Sequence, residues 1–259
     1  MNIVVCVKQV PSSNEVRLDP ITNTIIRDAK HAVINPFDLF AVEQALQLKE
    51  QYGGRVHVIS MGIPAVQGML LDLLARGADG AYLLTDRAFA GSDTLATSYV
   101  LSCGIHKLPP FDLIICGKMA TDGDTAQIGP ELSAQMQVPC ICNVCEILQV
   151  TKTNIVCKKK TDSGYLVVRG TFPMLITVER GINLPRLPSI GGIEFSMKEK
   201  VICMDAQAIQ AEQSQCGLAG SPTQVVKTFT PIRTHQTQWL DVDISIAAKQ
   251  ILEMCKEAR

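Results

Sequence analysis

The residues best placed to do chemistry stand together in Leu113-Ile-Ile-Cys-Gly117-Lys-Met-Ala-Thr-Asp122-Gly-Asp-Thr-Ala-Gln127-Ile-Gly129-Pro130-Glu-Leu-Ser133. An apolar, β-branched run ends at Gly117, a loop of small and polar residues follows, and Pro130 marks the first turn of a helix. Proline has no N–H and clashes with the preceding turn in a helix interior, so it is tolerated only near the start. The helix therefore begins near residues 127–129 and turns its unpaired N–H groups back towards the loop. At the carboxyl end of a parallel strand such a terminus is an anion site, by its dipole and its free donors. Thr125 and Gln127 add side-chain hydrogen-bonding groups. Asp122 and Asp124 count against a phosphate there unless they face a ribose, a backbone donor or solvent. A plain strand–turn–helix connection with acidic caps fits the spacing equally well.

A second group, Asn35-Pro36-Phe37-Asp38, precedes a long helix-period segment. Asn35 can cap that helix and Pro36 suits its first position, which explains the tetrapeptide without a ligand. If a nucleotide lies across the strand ends, though, this helix start borders the same crevice as residue 127. Met61-Gly62 and Cys6, at the ends of two strands, border it too, and open α/β sheets bind ligands in such a crevice. The familiar alternatives are absent: no G-x-G-x-x-G after a strand, no P-loop, no G-x-S-x-G elbow and no H-E-x-x-H. The four histidines, His31, His57, His106 and His235, are scattered without ligand spacing and read as ordinary histidines. Nothing nominates an acid–base pair. Cys140-Ile-Cys142-Asn-Val-Cys145 lacks the spacing and the fourth soft ligand of a metal or cluster site. It reads as a strand with structural cysteines.

The elements that must position these groups alternate through the first 150 residues. Strands are expected at 3–10, 55–61, 80–84 and 113–116, with helices at 37–50, 64–74, 92–102 and 128–136 between and after them. That order predicts an α/β fold, a mostly parallel sheet with helices on both faces. Residues 154–160 and 165–170 then flank Thr161-Asp162-Ser163-Gly164 as a hairpin, and 174–179 is a further strand. A loop rich in proline and glycine occupies 181–192. Residues 206–238 lack periodicity and read as an arm. It ends in an amphipathic helix whose Ile244, Ala247, Ala248, Ile251 and Cys255 share a face. The division expected is 1–200 as the α/β domain and 201–259 as the arm.

With 259 residues, 47% of them hydrophobic and 19% charged, the chain can build a sizeable core. A net charge of −1 gives no electrostatic footprint for nucleic acid. Lys158-Lys159-Lys160 is a short, solvated run. No segment approaches the roughly 20 apolar residues of a membrane helix, so no membrane insertion is expected. The start of the chain carries neither a signal nor a transit peptide, which predicts a cytoplasmic protein. The ten cysteines are accordingly expected as reduced thiols, most of them inside apolar runs (Cys6, Cys116, Cys140, Cys203).

At these residues the sequence resembles the β subunit of electron transfer flavoprotein over nearly its full length. The resemblance rests on Val5-Cys-Val-Lys-Gln-Val-Pro11, Asn35-Pro-Phe-Asp38 with Ala41-Val-Glu-Gln-Ala45, and the run from Gly117 to Gln127. The hairpin, Phe172-Pro-Met-Leu-Ile-Thr-Val178 and Asn183-Leu-Pro-Arg186 follow in the same order and spacing. It implies an adenine-nucleotide-binding (HUP-like) three-layer domain that pairs with a larger α subunit. In the simple carriers the β subunit holds AMP, and the redox FAD lies mainly on the α subunit. In the bifurcating branch a second FAD takes the AMP place and NADH reduces it. By position, the implied nucleotide contacts are Cys6, Asn35, Pro36, Phe37, Asp38, Met61, Asp122, Gly123, Asp124, Thr125, Ala126, Gln127, Ile128, Gly129, Pro130, Glu131, Leu132 and Ser133. The form Asp-Gly-Asp-Thr-Ala-Gln resembles the bacterial branches that include the bifurcating type. Gly123 also leaves backbone room beside a pyrophosphate, which tilts the expectation towards FAD over AMP.

Pro188-Ser189-Ile190-Gly191 resembles the family's recognition loop, here 181–195, which docks an apolar anchor into acyl-CoA dehydrogenase-type flavoenzymes. Ile190 stands at the anchor position; the other reading buries it at home. The usual basic run after the loop is replaced by Glu194-Phe-Ser-Met-Lys-Glu-Lys200, which leaves the partner dehydrogenase open. The functional expectation is an electron-carrier subunit without acid–base catalysis of its own. A stand-alone AMP- or ATP-binding module of the same fold is the alternative. An ATP-consuming ligase would want a Gly-rich loop after the first strand, and Lys8-Gln9-Val10-Pro11-Ser12-Ser13 is not one.

Overall fold

The computed structural model describes residues 1–12, 32–226 and 239–257. Its elements run β1 (Asn2–Cys6), β2 (Gln9–Pro11), β3 (Ala32–Ile34), α1 (Pro36–Tyr52), β4 (Arg55–Met61), α2 (Gln67–Ala75), β5 (Gly80–Leu84), α3 (Thr94–Ile105), β6 (Leu113–Gly117) and α4 (Ile128–Met136). There follow β7 (Cys140–Val150), β8 (Asn154–Thr161), β9 (Gly164–Thr171), β10 (Met174–Val178), α5 (Ile190–Lys198), β11 (Ile202–Met204) and α6 (Ile244–Glu257).

Nine strands form one sheet in the order β11-β5-β4-β1-β6-β10-β7-β8-β9. Every pair from β11 to β7 is parallel, and the β7–β8–β9 end is antiparallel. The alternation of β1 shows why helices cover both faces. Ile3 and Val5 pack with Ala41, Leu46, Leu70 and Leu73 of α1 and α2. Val4 and Cys6 pack with Val100, Ile105 and Leu132 of α3 and α4. Each such aliphatic side chain contributes about 1.5–3 kcal/mol on leaving water. After β1 the chain runs outward through β4 and β5, then returns to place β6 on the other side of β1. Strand order therefore reverses at the β1–β6 boundary, where the carboxyl ends of the strands leave a crevice.

Three features differ from the sequence expectation. The first strand does not continue to residue 10: it leaves the sheet after Cys6, and β2 pairs antiparallel with β3 in a separate two-stranded sheet. Lys8 causes the departure, because its carbonyl accepts the Asn35 N–H at 2.9 Å and its own N–H donates to Asp38 Oδ2 at 2.8 Å. The loop expected over 181–195 turns helical at Ile190, because Ser189 caps α5 by accepting the Gly192 N–H at 2.9 Å. Residues 201–224, assigned to the arm, lie with the first of two compact units, Met1–Gln224 and Val225–Arg259. There β11 pairs with β5, and the Asp86 carboxylate accepts the Ala206 N–H at 3.0 Å. Among the described residues no helix is long and apolar enough to cross a membrane.

Candidate functional site

The loop between β6 and α4 is anchored at its base and open along its rim. Lys118 N–H donates to Val178 O at 3.0 Å, and Lys118 Nζ pairs with Glu179 Oε1 at 2.8 Å. Asn35 occupies the capping position of α1 but does not cap it. Its buried side chain crosses to the loop instead, donating from Nδ2 to Met119 O at 2.9 Å and accepting Thr121 N–H at Oδ1 at 3.3 Å. Pro36 fills the first helical position, as expected. A Cβ on Gly117 would strike Asp38 and Phe37, so the strand end meets α1 only because that residue is glycine. Asp38 is buried there; desolvation pushes its carboxyl up to about 7, against hydrogen bonds from Lys8, Asn35 and Gly117 and the charge of Lys8.

Beyond Thr121 the loop is exposed through Gln127. Asp124 and Ala126 adopt left-handed backbone, φ 49° and 55°, at a cost of about 1–2 kcal/mol each for residues with a Cβ. Gln127, which follows, is right-handed. A left-handed residue followed by a right-handed one is the backbone pattern found in anion-binding nests. Helix α4 begins at Ile128 with no side-chain cap. Among the described residues, the amides of Thr125, Ala126, Gln127, Ile128 and Gly129 have no protein acceptor. Gly129 lets this terminus approach the sheet, since a Cβ would collide with Thr177 of β10. Nothing lies within 4 Å of a Cβ built on Gly123.

The carboxylates that count against an anion are partly answered by a residue that sequence reasoning did not assign to the site. Lys8 Nζ lies 2.7 Å from both oxygens of Asp122. Asp124 is exposed; its N–H donates to Ala120 O at 2.8 Å, and its carboxylate has no partner among the described residues. The remaining candidates divide. Cys6 lies in the core beside Cys116, opposite it in the β1–β6 register, and Met61 is half-buried at the end of β4. Glu131 turns away to α3, where Oε1 accepts a hydrogen bond from Thr94 Oγ1 at 3.1 Å. Burial raises its carboxyl, aided by the charge of Asp93 and opposed by Thr94. Leu132 is fully buried in the core, and Ser133 Oγ donates to Pro130 O at 3.0 Å. The structure thus ties Asn35 to the loop at Met119 and Thr121, links Asp38 to Asp122 through Lys8, and sends Leu132 and Ser133 into packing. His57 is buried edge-on to Tyr82 and His106 shares a 2.7 Å contact with Ser102 O; His31 and His235 lie outside the described residues.

Residues 22–210 match the model of the electron transfer flavoprotein domain. An electron transfer flavoprotein subunit beta from Thermoanaerobacterium thermosaccharolyticum is 41% identical over 254 residues, covering 98% of this chain and 97% of the relative. A protein of the same name from Clostridium acetobutylicum is 42% identical, with 99% and 98% covered. The caffeyl-CoA reductase–Etf complex subunit CarD of Acetobacterium woodii is 40% identical, with 89% and 88% covered. The chain belongs to the electron transfer flavoprotein β-subunit family.

Within Asn183-Leu-Pro-Arg186 the structure shows a bracing role. Arg186 grips the buried Glu43 carboxylate, from Nε to Oε2 at 2.8 Å and from Nη2 to Oε1 at 3.0 Å, and also reaches Glu50. Burial pushes Glu43 up, but the hydrogen bonds and charge of Arg186 outweigh it and hold the carboxyl below its usual range. Asn183 Nδ2 donates to Phe40 O at 3.0 Å. These contacts hold the chain after β10 onto α1, and so support the helix that carries Asn35 and Asp38. Just beyond, Pro188 and Ser189 lead into Ile190, which is 90% exposed. Ile190 is not buried at home.

Proposed function

We propose that this chain is the β subunit of a heterodimeric electron carrier, and that the turn over 122–129 holds the phosphates of an adenine nucleotide, FAD or AMP. The run of amides that have no protein acceptor among the described residues carries this reading. It stands at a helix N-terminus, on the β1–β6 switch point, in a loop whose left-handed residues are strained to present it. Lys8 neutralises Asp122 beside it, Asn35 holds the loop in register, and the open space at Gly123 leaves room for a second phosphate. That room favours FAD. Bound FAD supplies the electron-carrying chemistry, with NADH as donor in the bifurcating form; the chain's own residues bind, orient and shield it.

The α subunit is the proposed first partner. An acyl-CoA dehydrogenase-type flavoenzyme is the second, and the name of the caffeyl-CoA reductase complex supports it. The exposed Ile190 on its capped helix is the proposed contact. Co-purification with the α subunit, followed by a visible spectrum and acid extraction of nucleotides, tests the reading. Two flavins per heterodimer support FAD in this crevice, and one flavin with AMP supports the simple carrier. Nucleotide without any flavin supports the stand-alone module, and no nucleotide at all removes the site.

A further inference from the structure

Strand β7 carries two cysteines at the place where its pairing with β10 slips. Leu175 lies opposite Cys140 and Ile176 opposite Ile141, but Val178 next meets Val144, so Cys142 and Asn143 together face Thr177. This is a β-bulge, and Asn143 takes the left-handed backbone, φ 61°, that accommodates the extra residue. Its N–H donates to Thr177 Oγ1 at 3.0 Å and pins the bulge. In a regular strand, positions i and i+2 are separated by about 6.6 Å of rise. Here the two sulfurs stand 3.6 Å apart. Both residues are partly open rather than enclosed. Cys145 takes no part, because its thiol donates to Lys158 O at 3.3 Å.

The geometry points to Cys140 and Cys142 as a redox-active dithiol, a modification site that reduces a hydroperoxide and closes to a disulfide. The two thiols are not equivalent. The hydrogen bond shared with Cys140, helped by Lys159 of β8 and Thr177 of β10 and opposed by burial, draws Cys142 down to about 6. The same hydrogen bond and burial hold Cys140 well above the usual thiol range, although Ser133 of α4 and Lys159 pull the other way. Cys142 is therefore the thiolate that attacks and Cys140 the thiol that resolves.

Cys142 Sγ attacks one peroxide oxygen and the O–O bond breaks. The other oxygen leaves as an alcohol, or as water from hydrogen peroxide, after taking a proton, and Cys142 becomes a sulfenic acid. Cys140 Sγ then bonds to the Cys142 sulfur, and the hydroxyl departs as water with the Cys140 proton. Two electrons pass from the pair of sulfurs to the peroxide. Closing the pair shortens the sulfur separation from 3.6 Å to a bond of about 2.05 Å.

The test uses the reduced chain purified with its bound subunit and cofactor, treated with one equivalent of hydrogen peroxide, alkylated and digested. The peptide that holds Cys140, Cys142 and Cys145 should take up one alkyl group, at Cys145, where the untreated protein takes up three, and should lose two hydrogens. Cys140→Ser should leave Cys142 as a sulfenic acid captured by dimedone, and Cys142→Ser should leave Cys140 open to alkylation. In the unmodified protein, iodoacetamide labelling of Cys142 should fall less than about twofold between pH 8 and pH 7, whereas glutathione in the same tube falls close to tenfold. That profile needs no variant to fold. A peptide that stays fully alkylatable after peroxide, or Cys142 labelling that tracks glutathione, overturns the assignment.

Discussion

Asn35 and Thr121 are joined across 86 positions of sequence, Asn35 Oδ1 accepting the Thr121 N–H at 3.3 Å while its Nδ2 donates to Met119 O. A residue positioned to cap its own helix is thereby spent on holding the loop after β6. Asn35→Ala leaves a carbonyl and an amide of that loop without partners, which costs about 1–3 kcal/mol. The urea midpoint should fall accordingly, and the nucleotide recovered per chain should fall with it. Loss of stability with full nucleotide occupancy would separate Asn35 from the site.

Lys8 and Asp122 should behave in the opposite way. Lys8 is about half exposed, so the ion pair adds at most about 1 kcal/mol to stability. Its importance lies in cancelling a carboxylate beside the free amides. Lys8→Ala should leave the unfolding midpoint nearly unchanged and weaken nucleotide binding roughly fivefold at low salt, an effect that shrinks as salt screens it. Adding Asp122→Asn should restore affinity. If the double variant binds no better than Lys8→Ala, the charge-balance account is wrong.

This pair also shows where the sequence is legible and where it is not. The start of α4 could be read from Pro130, because one missing N–H confines proline to a first turn, and the structure begins the helix at Ile128. The parallel sheet with helices on both faces was equally plain in the alternation of strand-like and helix-period segments through the first 150 residues. The partner of Asp122 was not legible, because Lys8 is 114 residues away and meets it only once β1 and β6 lie side by side. The rigid grip of Arg186 on Glu43 was hidden for the same reason. Asn35 reads as a cap from its neighbours alone, and its side chain does not cap; only the tertiary fold offers it a better set of partners. At Cys140–Val144 the inward positions shift phase by one residue, a bulge that periodicity registers only as weakened alternation.

Asp38 gives the fold a pH dependence that can be isolated. In the unfolded chain it ionises near 3.8 and in the folded chain near 7. Between those values the folded state keeps a proton that the unfolded state has lost, so stability falls as pH rises. The contribution is complete below about pH 4 and gone above pH 7. Asp38→Asn cannot ionise and lacks this contribution, while every other group titrates in both proteins. The stability difference between the two should therefore shift against the wild type by on the order of 2–4 kcal/mol between pH 4.5 and 7.5, read from urea curves. A constant difference would show that Asp38 is ionised throughout.

Gly123→Glu tests the loop with little disturbance of the protein itself. Gly123 has no left-handed backbone to preserve, and a Cβ there meets nothing within 4 Å. The variant should fold with an unchanged midpoint. It should nonetheless lose most of its nucleotide, because a carboxylate then occupies the space beside the free amides. Full occupancy in the folded variant would move the phosphates elsewhere.

Ile190 tests the outer surface. It is 90% exposed at the first turn of α5, while Ser196 on the same helix is buried, so truncation removes nothing from the core. Alanine is a better helix former than isoleucine, and the Ser189 cap is untouched. Ile190→Ala should therefore leave flavin content and the unfolding midpoint as they are. An apolar anchor in a transient interface typically contributes more than 1 kcal/mol, so electron transfer to the dehydrogenase should slow by about fivefold or more at limiting concentrations. The deficit should diminish as the dehydrogenase approaches saturation, since what is lost is encounter affinity rather than flavin chemistry. Unaltered kinetics at limiting dehydrogenase would take Ile190 out of the interface and turn attention to Leu187 and Met197, its exposed neighbours.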